Sequence, residues 1–179
     1  MRTPAGTSPT TYTFGGASLT LQAYVGPGAT RSLLYKGGSG DVLIINNFTN
    51  EAGSRVDQGS GASAPATIGG NRWTIAGDST LAADQGSAWT INSPLAGSAN
   101  FTNLGNGTIT YNGTNSAFTG RFVLGGTTAK VILNSLEALP GNPGSATPDQ
   151  FTLGATSLLQ DNVGVNYSNS NGGITMTGN

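Results

Sequence analysis

The 179-residue sequence contains neither cysteine nor histidine. The absence of cysteine excludes a small fold held together by disulfides. The absence of both residues also removes Ser-His-Asp and Cys-His catalysis, together with the usual ligands of a zinc site. Any catalysis or metal binding would therefore have to use carboxylates, Lys, Arg and Tyr.

Charge is also scarce. Charged residues make up 8% of the chain and the formal net charge is −1, whereas typical soluble domains have about 25% charged residues. The seven Lys and Arg are scattered, so no basic patch could neutralise phosphates, and we expect no nucleic-acid partner. No apolar run approaches the length of a membrane-spanning segment. Weak electrostatic repulsion favours self-association.

Gly, Ser, Thr and Asn account for 87 of the 179 residues. Short runs in which apolar and polar residues alternate lie between Asn-Gly, Gly-Asn, Gly-Asp and Gly-Gly pairs, which supply the positive φ of tight turns. The only plausible helical turn is at residues 135–139, before Pro140-Gly141. The clearest predicted strands are around Ser18–Ala23, Val42–Ile45, Arg72–Ile75, Ala88–Ile91, Thr108–Tyr111, Arg121–Leu124, Lys130–Leu133, Phe151–Leu153 and Ile174–Thr177.

These strands predict an all-β fold. Asn, Thr and small residues recur at similar places relative to each strand, as stacked side chains in a ladder would require. This favours a right-handed parallel β-helix, also called a β-solenoid, over the alternative of an antiparallel β-sandwich or jelly roll. We expect residues 1–179 to form one solenoid segment.

Internal repetition supports the solenoid. The sequence at residues 107–120 is rich in Gly, Thr and Asn, and residues 172–179 restart it with Gly-Gly-Ile-Thr-Met-Thr-Gly-Asn. The first residues lack the apolar core of a signal peptide. The sequence therefore predicts a fragment of a longer repeat array, with a repeat-like portion at 98–140 and a second copy starting near residue 172.

Residues 105–120 carry a family resemblance. The string Gly-Asn-Gly-Thr-Ile-Thr-Tyr-Asn-Gly-Thr-Asn-Ser-Ala-Phe-Thr-Gly resembles the autotransporter-associated β-strand repeat, also called the passenger-associated transport repeat. The family often has Lys-x-Gly before its first strand, whereas this chain has Asn103-Leu104-Gly105. The resemblance implies a right-handed β-helix in a passenger that is secreted or displayed on a bacterial cell surface. The residues that match the family pattern are Ile109 and Tyr111 in the strand and Gly113, Asn115, Phe118 and Gly120 in the turns.

The acids do not predict an active site. No two are closer than six positions in the sequence, and most lie beside Gly, Ser or Asn, where a carboxylate commonly caps a turn. A polysaccharide-cleaving β-helix would need carboxylates brought together by stacking. We therefore expect no enzyme and no catalytic residues. The acids are Asp41, Glu51, Asp57, Asp78, Asp84, Glu137, Asp149 and Asp161.

Calcium is the cofactor to consider, because carboxylates and backbone carbonyls suit it. Lys36-Gly-Gly-Ser-Gly-Asp41 resembles one copy of a calcium-binding nonapeptide, but it has no second copy to stack on. The same glycines lack the Gly-Lys-Ser/Thr ending of a phosphate loop, so they predict a turn. No cofactor is expected, with calcium as the alternative.

The aromatic residues offer two interpretations. Trp73, Trp89, Tyr111 and Tyr167 could form a platform for stacking sugars, or they could fill a thin solenoid core. The alternation around both tryptophans favours the core, while Tyr111 and Tyr167 are left as candidate ligand contacts.

Three functions follow from these features. The first is a structural segment of an extracellular bacterial stalk, passenger or fibre that associates end to end, because an open solenoid end exposes unpaired backbone groups. The second is an adhesin that binds a glycan or another cell-surface ligand. The third is a polysaccharide-degrading β-helix enzyme or a phage fibre.

Overall fold

The computed structural model describes residues 9–23, 32–58, 65–84, 86–115, 117–125, 130–134, 151–154, 156–162 and 174–176. These residues form nineteen strands and their connecting turns, and they include no helix. The helical turn predicted at residues 135–139 lies outside them.

The strands form three sheets, and each circuit of the chain passes through the sheets in the same order. We call one circuit a coil. Sheet 1 contains β1 (Thr11–Thr13), β4 (Val42–Ile44), β7 (Pro65–Gly69), β10 (Ala88–Ile91), β13 (Thr108–Tyr111), β16 (Lys130–Leu133) and β18 (Leu158–Asp161). Sheet 2 contains β2 (Leu19–Leu21), β5 (Asn47–Asn50), β8 (Arg72–Ile75), β11 (Leu95–Gly97) and β14 (Ala117–Phe118). Sheet 3 contains β3 (Leu33–Tyr35), β6 (Arg55–Gln58), β9 (Ser79–Ala83), β12 (Phe101–Leu104), β15 (Phe122–Leu124), β17 (Phe151–Leu153) and β19 (Ile174–Met176).

Every strand pairing among the described residues is parallel. Coils 1 to 5 have strands in all three sheets, and coils 6 and 7 have described strands in sheets 1 and 3. The prediction of a parallel β-solenoid is therefore confirmed. The sandwich or jelly-roll alternative is wrong, because both architectures are built from antiparallel pairs.

The repeat is shortest in the middle of the solenoid. In sheet 1, Pro65, Ala88, Thr108 and Lys130 stack directly on one another, each one circuit after the last. At the N-terminal end, the pair formed by Thr11 and Val42 is separated by a longer stretch of chain than any of these three circuits. Longer connections are therefore concentrated outside the central coils.

The strand near residue 172 does not continue the row that contains Thr108–Tyr111. Ile174–Met176 pairs with Phe151–Leu153 in sheet 3, whereas Thr108–Tyr111 lies in sheet 1 and is followed there by Lys130–Leu133. The two similar sequence strings thus occupy different sheets, so they are not equivalent parts of successive coils. The structural repeat is one full circuit through the three sheets, such as the circuit that leads from Ala88 to its stacking partner Thr108.

In most of the strands whose side chains the structure describes, alternate side chains point into a core that runs along the solenoid axis. Trp73 and Ile75, like Trp89 and Ile91, are fully buried, as the alternation predicted. Parallel stacking places like residues above one another, so the core consists of rows. One row in sheet 3 is aromatic and contains Phe101, Phe122 and Phe151.

Candidate functional site

Tyr111, one of the two candidate ligand contacts, lies in the core. Its side chain is fully buried, its ring stacks on Phe122 with centroids 4.9 Å apart, and its hydroxyl donates a 2.6 Å hydrogen bond to Asn103 Oδ1. Burial raises the pKa of the Tyr111 hydroxyl well above its usual value. The interpretation of Tyr111 as a surface ligand contact is therefore corrected. It lies two residues after the inward-facing Ile109 and shares its face of the strand. Tyr167 lies outside the described residues.

Both tryptophans are core residues too, and each has a partner for its indole N–H. Trp73 Nε1 donates to Asn50 Oδ1 at 3.2 Å, and Trp89 Nε1 donates to the carbonyl oxygen of Ala82 at 2.9 Å. Phe48 stacks on Trp73 with centroids 4.7 Å apart. These contacts satisfy the one polar group of each ring, so neither tryptophan forms a platform for sugars.

An apolar cavity of about 450 Å³ opens at the N-terminal end of the core. Its lining comes from coil 1 and the start of coil 2, including Tyr12, Leu19, Leu21, Leu33, Leu43 and Ile45. Phe14 also lines the cavity and is 41% exposed. The cavity's volume is within the range of small-molecule sites.

A polar clasp lies beside this cavity. Asp41 is 2% exposed and accepts hydrogen bonds from the Tyr35 hydroxyl (2.5 Å), the Gly38 amide (2.7 Å) and the Thr10 amide (2.9 Å). The glycine turn fits closely around it, because a Cβ on Gly37 would lie 1.7 Å from the Tyr35 hydroxyl oxygen. The clasp thus ties coil 1 to the start of coil 2.

The clasp also determines the charge of its two side chains. Desolvation opposes ionisation of Asp41, but the hydrogen bonds from Tyr35, Thr10 and Gly38 outweigh it, so the pKa of the carboxyl is lowered. The pKa of Tyr35 is raised, first by desolvation and then by its bond to Asp41. Both carboxylate oxygens face N–H or O–H donors, which is unsuitable for a cation. Residues 36–41 therefore hold a carboxylate whose two oxygens are both engaged in structural hydrogen bonds.

The other described acids with recorded contacts have structural partners. Asp57 is fully buried and forms an ion pair with Arg55, with 3.1 Å between Oδ2 and Nη2. Asp78 accepts hydrogen bonds from the backbone and side-chain amides of Asn100 at 2.9 and 3.0 Å, so its recorded bonds join one coil to the next, whereas the sequence predicted a cap on its own turn. Within the described ranges, no three Asp or Glu side chains gather in a metal-binding group. Glu137 and Asp149 lie outside those ranges.

The outer faces carry rows of threonine. Thr67, Thr90 and Thr110 stack in register on sheet 1, and Thr20, Thr49 and Thr74 do so on sheet 2. Threonine is favoured at outward, half-buried positions of β-strands, so rows of threonine are expected on more than one sheet. The rows by themselves therefore do not distinguish one face of the solenoid.

Sheet 1 is distinguished by a ladder of asparagine side chains, which we call the amide ladder. It contains Asn92, Asn112, Asn134 and Asn162, each the first residue after a strand of sheet 1. Asn112 Nδ2 donates to Asn92 Oδ1 (3.0 Å), Asn134 Nδ2 to Asn112 Oδ1 (3.0 Å), and Asn162 Nδ2 to Asn134 Oδ1 (2.6 Å). All four side chains are exposed.

The amide ladder was not among the features predicted from the sequence, although the sequence contains a signal for it. Trp-Thr-Ile-Asn, Ile-Thr-Tyr-Asn, Val-Ile-Leu-Asn and Leu-Gln-Asp-Asn end at residues 92, 112, 134 and 162. An alignment of strands by the asparagine that follows each one would have identified successive coils of sheet 1.

Within the described part of the chain, no helix is long and apolar enough to cross a membrane. No family model matches the sequence, and neither the curated proteins nor the solved structures give a significant match. The assignment of a solenoid fold is therefore based on the strand pairing of this chain alone. The resemblance to autotransporter repeats is a hypothesis.

Proposed function

We propose that this chain is a non-enzymatic structural segment of an extracellular bacterial β-solenoid, such as a stalk, passenger or fibre, and that it associates end to end. The observation that carries the proposal is an apolar core with partly exposed residues at both ends. Among the described residues, the partly buried hydrophobics packed on the core include Leu19 and Leu33 in coil 1 and Leu153 and Leu159 in coils 6 and 7.

Parallel stacking makes these two ends complementary. The strands of coil 1 pair on one side with coil 2, and β18 pairs on one side with β16. An edge strand with backbone groups available on its second side can accept another parallel strand. A second copy placed end on would continue each sheet and cover the apolar cavity at coil 1.

Two further features support a scaffold. The large aromatic side chains of the central coils are committed to the core, and the chain carries little charge that would keep copies apart. The extracellular, bacterial location rests on the resemblance of residues 105–120 to passenger repeats.

The test is the size distribution of the purified protein, measured by light scattering and electron microscopy over a range of concentrations. We expect size to increase with concentration and Leu19→Lys to reduce association, because it places a charge at the apolar end. Thr20→Lys is the matched control, since Thr20 is the exposed neighbour on the same strand. At the other end, Leu159→Lys is compared with Leu158→Lys, whose parent side chain is 53% exposed.

Circular dichroism would establish that each variant is folded before its size is compared. A wild-type protein that stays monomeric at every concentration would contradict the proposal. So would equal effects of the Lys substitution at Leu19 and at Thr20, because these would indicate a general effect of charge and not contact at the apolar end.

The alternative is an adhesin that binds a neutral glycan. The observation in its favour is sheet 1, where the row of Thr67, Thr90 and Thr110 lies next to the exposed amide ladder. Hydroxyl and amide groups at a regular spacing of about 4.8 Å could bond to a polymer that repeats on a similar scale. Binding on a glycan array that Thr90→Val and Thr110→Val abolish would favour the adhesin over the scaffold.

A further inference from the structure

Asn112 is followed by Gly113. An Asn-Gly dipeptide is more prone to spontaneous deamidation than asparagine followed by any other residue. In that reaction the Gly113 nitrogen attacks Asn112 Cγ and forms a new C–N bond. The Cγ–Nδ2 bond breaks, and Nδ2 leaves as ammonia with the proton from the Gly113 amide. Water then opens the five-membered imide at either carbonyl, giving aspartate or isoaspartate. Asparagine is accordingly among the thermally labile residues.

The structure holds both reacting groups away from this chemistry. Asn112 Nδ2 donates to Asn92 and its Oδ1 accepts from Asn134, each at 3.0 Å, so the side chain is fixed along the ladder. The Gly113 amide donates to the carbonyl oxygen of Ile91 at 3.2 Å. Attack requires the Asn112 side chain to turn towards its own backbone and the Gly113 N–H to leave that bond.

Gly113 cannot simply be replaced by a residue that slows the reaction. A Cβ at this position would lie 2.6 Å from the carbonyl oxygen of Ser93 and 2.9 Å from its carbon, which no ordinary side chain tolerates. The close approach of coil 5 to coil 4 therefore requires glycine directly after a ladder asparagine. Close packing against Ser93 thus requires the Gly113 that makes Asn112 labile, and the ladder bonds of Asn112 are placed to protect the same residue.

We infer that Asn112 is a latent modification site, which the amide ladder protects in the folded solenoid and which deamidates when the ladder opens. Conversion to aspartate replaces the Nδ2 donor with a second carboxylate oxygen facing Asn92 Oδ1. Two acceptors then face each other where a hydrogen bond had been. The modification therefore removes the bond from Asn112 to Asn92, and the ladder closes over the new carboxylate only if the Asn92 amide turns over and presents its Nδ2 donor.

The experiment measures deamidation of the full chain at mildly alkaline pH by mass spectrometry of peptides that contain Asn112, with isoaspartate counted separately. Wild-type protein is compared in buffer and in urea, and with Asn92→Ala and Asn134→Ala. Asn92→Ala removes the acceptor of Asn112 Nδ2, and Asn134→Ala removes the donor to Asn112 Oδ1. Asn47→Ala is the control, because it deletes an exposed asparagine that donates to Ala17 O at 2.8 Å, on sheet 2.

We expect slow conversion of the folded wild type and fast conversion in urea. Each ladder variant should accelerate conversion about fivefold, the factor that corresponds to one net hydrogen bond, while Asn47→Ala leaves the rate unchanged. The Asn134→Ala variant separates two opposite effects. The Asn134 Nδ2 donor polarises the Asn112 side-chain carbonyl, so losing this polarisation alone would slow deamidation. Faster deamidation would therefore show that the donor acts mainly by holding the Asn112 side chain in place.

Equal rates in the wild type and both ladder variants would overturn the inference, as would conversion of the folded wild type as fast as in urea. The dipeptide Asn106-Gly107 in the same chain reports general unfolding. If conversion at Asn106 increases in parallel with that at Asn112, the variants have opened the whole solenoid, and specific protection by the ladder is refuted.

Discussion

Coil 1 and the central coils 3 to 5 surround the same axis, but different residues fill it. In coils 3 to 5 the inward rows contain large apolar side chains that are buried, such as Trp89, Ile109 and Phe122, together with smaller residues and the buried Asn103 and Asn115. In coil 1 the inward side chains leave a cavity of about 450 Å³, and the coil is joined to the start of coil 2 by the buried Asp41, which accepts three hydrogen bonds.

The difference shows what stacking can and cannot supply. A central coil has a neighbour on each side, so its apolar rows and strand backbone groups are covered on both sides, and buried hydrogen bonds such as that from Tyr111 to Asn103 add to this stacking. Coil 1 pairs with a described neighbour on one side and relies on individual contacts, chiefly the clasp between Asp41, Tyr35 and Thr10. We therefore expect cavities to dominate mutational costs in the centre and single hydrogen bonds to dominate them in coil 1.

The largest contrast should come from truncating a leucine in each region. Leu95→Ala removes a side chain with no exposed surface, so it should reduce the free energy of unfolding by about 2 to 5 kcal/mol. Leu33→Ala changes a half-buried side chain that already borders the cavity, and should cost about 1 kcal/mol. Urea denaturation measures both values, and equal costs would show that coil 1 is as tightly packed as the centre.

A pair of glycines provides the next comparison. Gly105, between β12 and β13, has φ +97°, and a Cβ there would lie 1.9 Å from the carbonyl oxygen of Ala83. Gly40, in the clasp, has φ +76°, and its Cβ would meet only the Pro9 ring, at 3.1 Å. Gly105→Ala should cost about 2 to 4 kcal/mol because strain and overlap add, and Gly40→Ala about 1 to 2 kcal/mol from strain alone.

Thermal melting and urea denaturation would check this pair. A larger loss of stability at Gly40 than at Gly105 would mean that the clasp turn accommodates a Cβ less well than the close approach of coil 4 to coil 3 does. The spacing of central coils would then not be limited by backbone contact at Gly105.

The sequence predicted these features unevenly. The bounds of Thr108–Tyr111, Lys130–Leu133 and Phe151–Leu153 agree with the structure, because alternation is a local property of a strand. Tyr111 could have been placed in the core by the same alternation, through its spacing from Ile109. By contrast, the hydrogen bond from the Thr10 amide to Asp41 joins residues that are far apart in the sequence. It depends on how one coil lies on the next, which the sequence pattern does not specify.

The amide ladder was partly predictable from the sequence. Its asparagines recur after each strand of sheet 1 from β10 onwards and were visible in the sequence, but the circuit length varies. The circuit from Asn92 to Asn112 is shorter than the circuit from Asn134 to Asn162, and a search at a fixed period misses such a row. Strand registers identify it, because the residues before the asparagines are stacked neighbours: Ile91, Tyr111, Leu133 and Asp161.

The clasp predicts an acid-sensitive contribution of coil 1. The pKa of Asp41 is lowered in the folded state, so folding favours the ionised form. Its stabilisation is complete above the ordinary value of about 4 in the unfolded chain and is lost as the pH falls through the lower folded value. Asp41→Asn should reduce the free energy of unfolding by about 1 to 3 kcal/mol at neutral pH, because the asparagine side chain has one acceptor oxygen and places an NH2 donor where the second carboxylate oxygen was. This difference should become smaller on acidification.

Urea denaturation of both proteins between neutral and acidic pH would measure that convergence. Tyr35→Phe is the control, since it removes one donor and leaves the amides of Thr10 and Gly38 in place. A gap between wild type and Asp41→Asn that stays constant with pH would show that the charge of Asp41 does not stabilise coil 1.

The smallest expected effect tests whether side chains on the outer surface stabilise the central coils. Asn112→Ala removes two ladder bonds at an exposed position, and the cost should be about 0.5 to 1.5 kcal/mol, well below that of Leu95→Ala. Asn112→Asp should cost slightly more at neutral pH, because a carboxylate oxygen then faces Asn92 Oδ1, and this excess should disappear once the new acid is protonated. If Asn112→Ala proved as costly as Leu95→Ala, the amide ladder and not the apolar rows would be the main source of cohesion between coils 4 and 5.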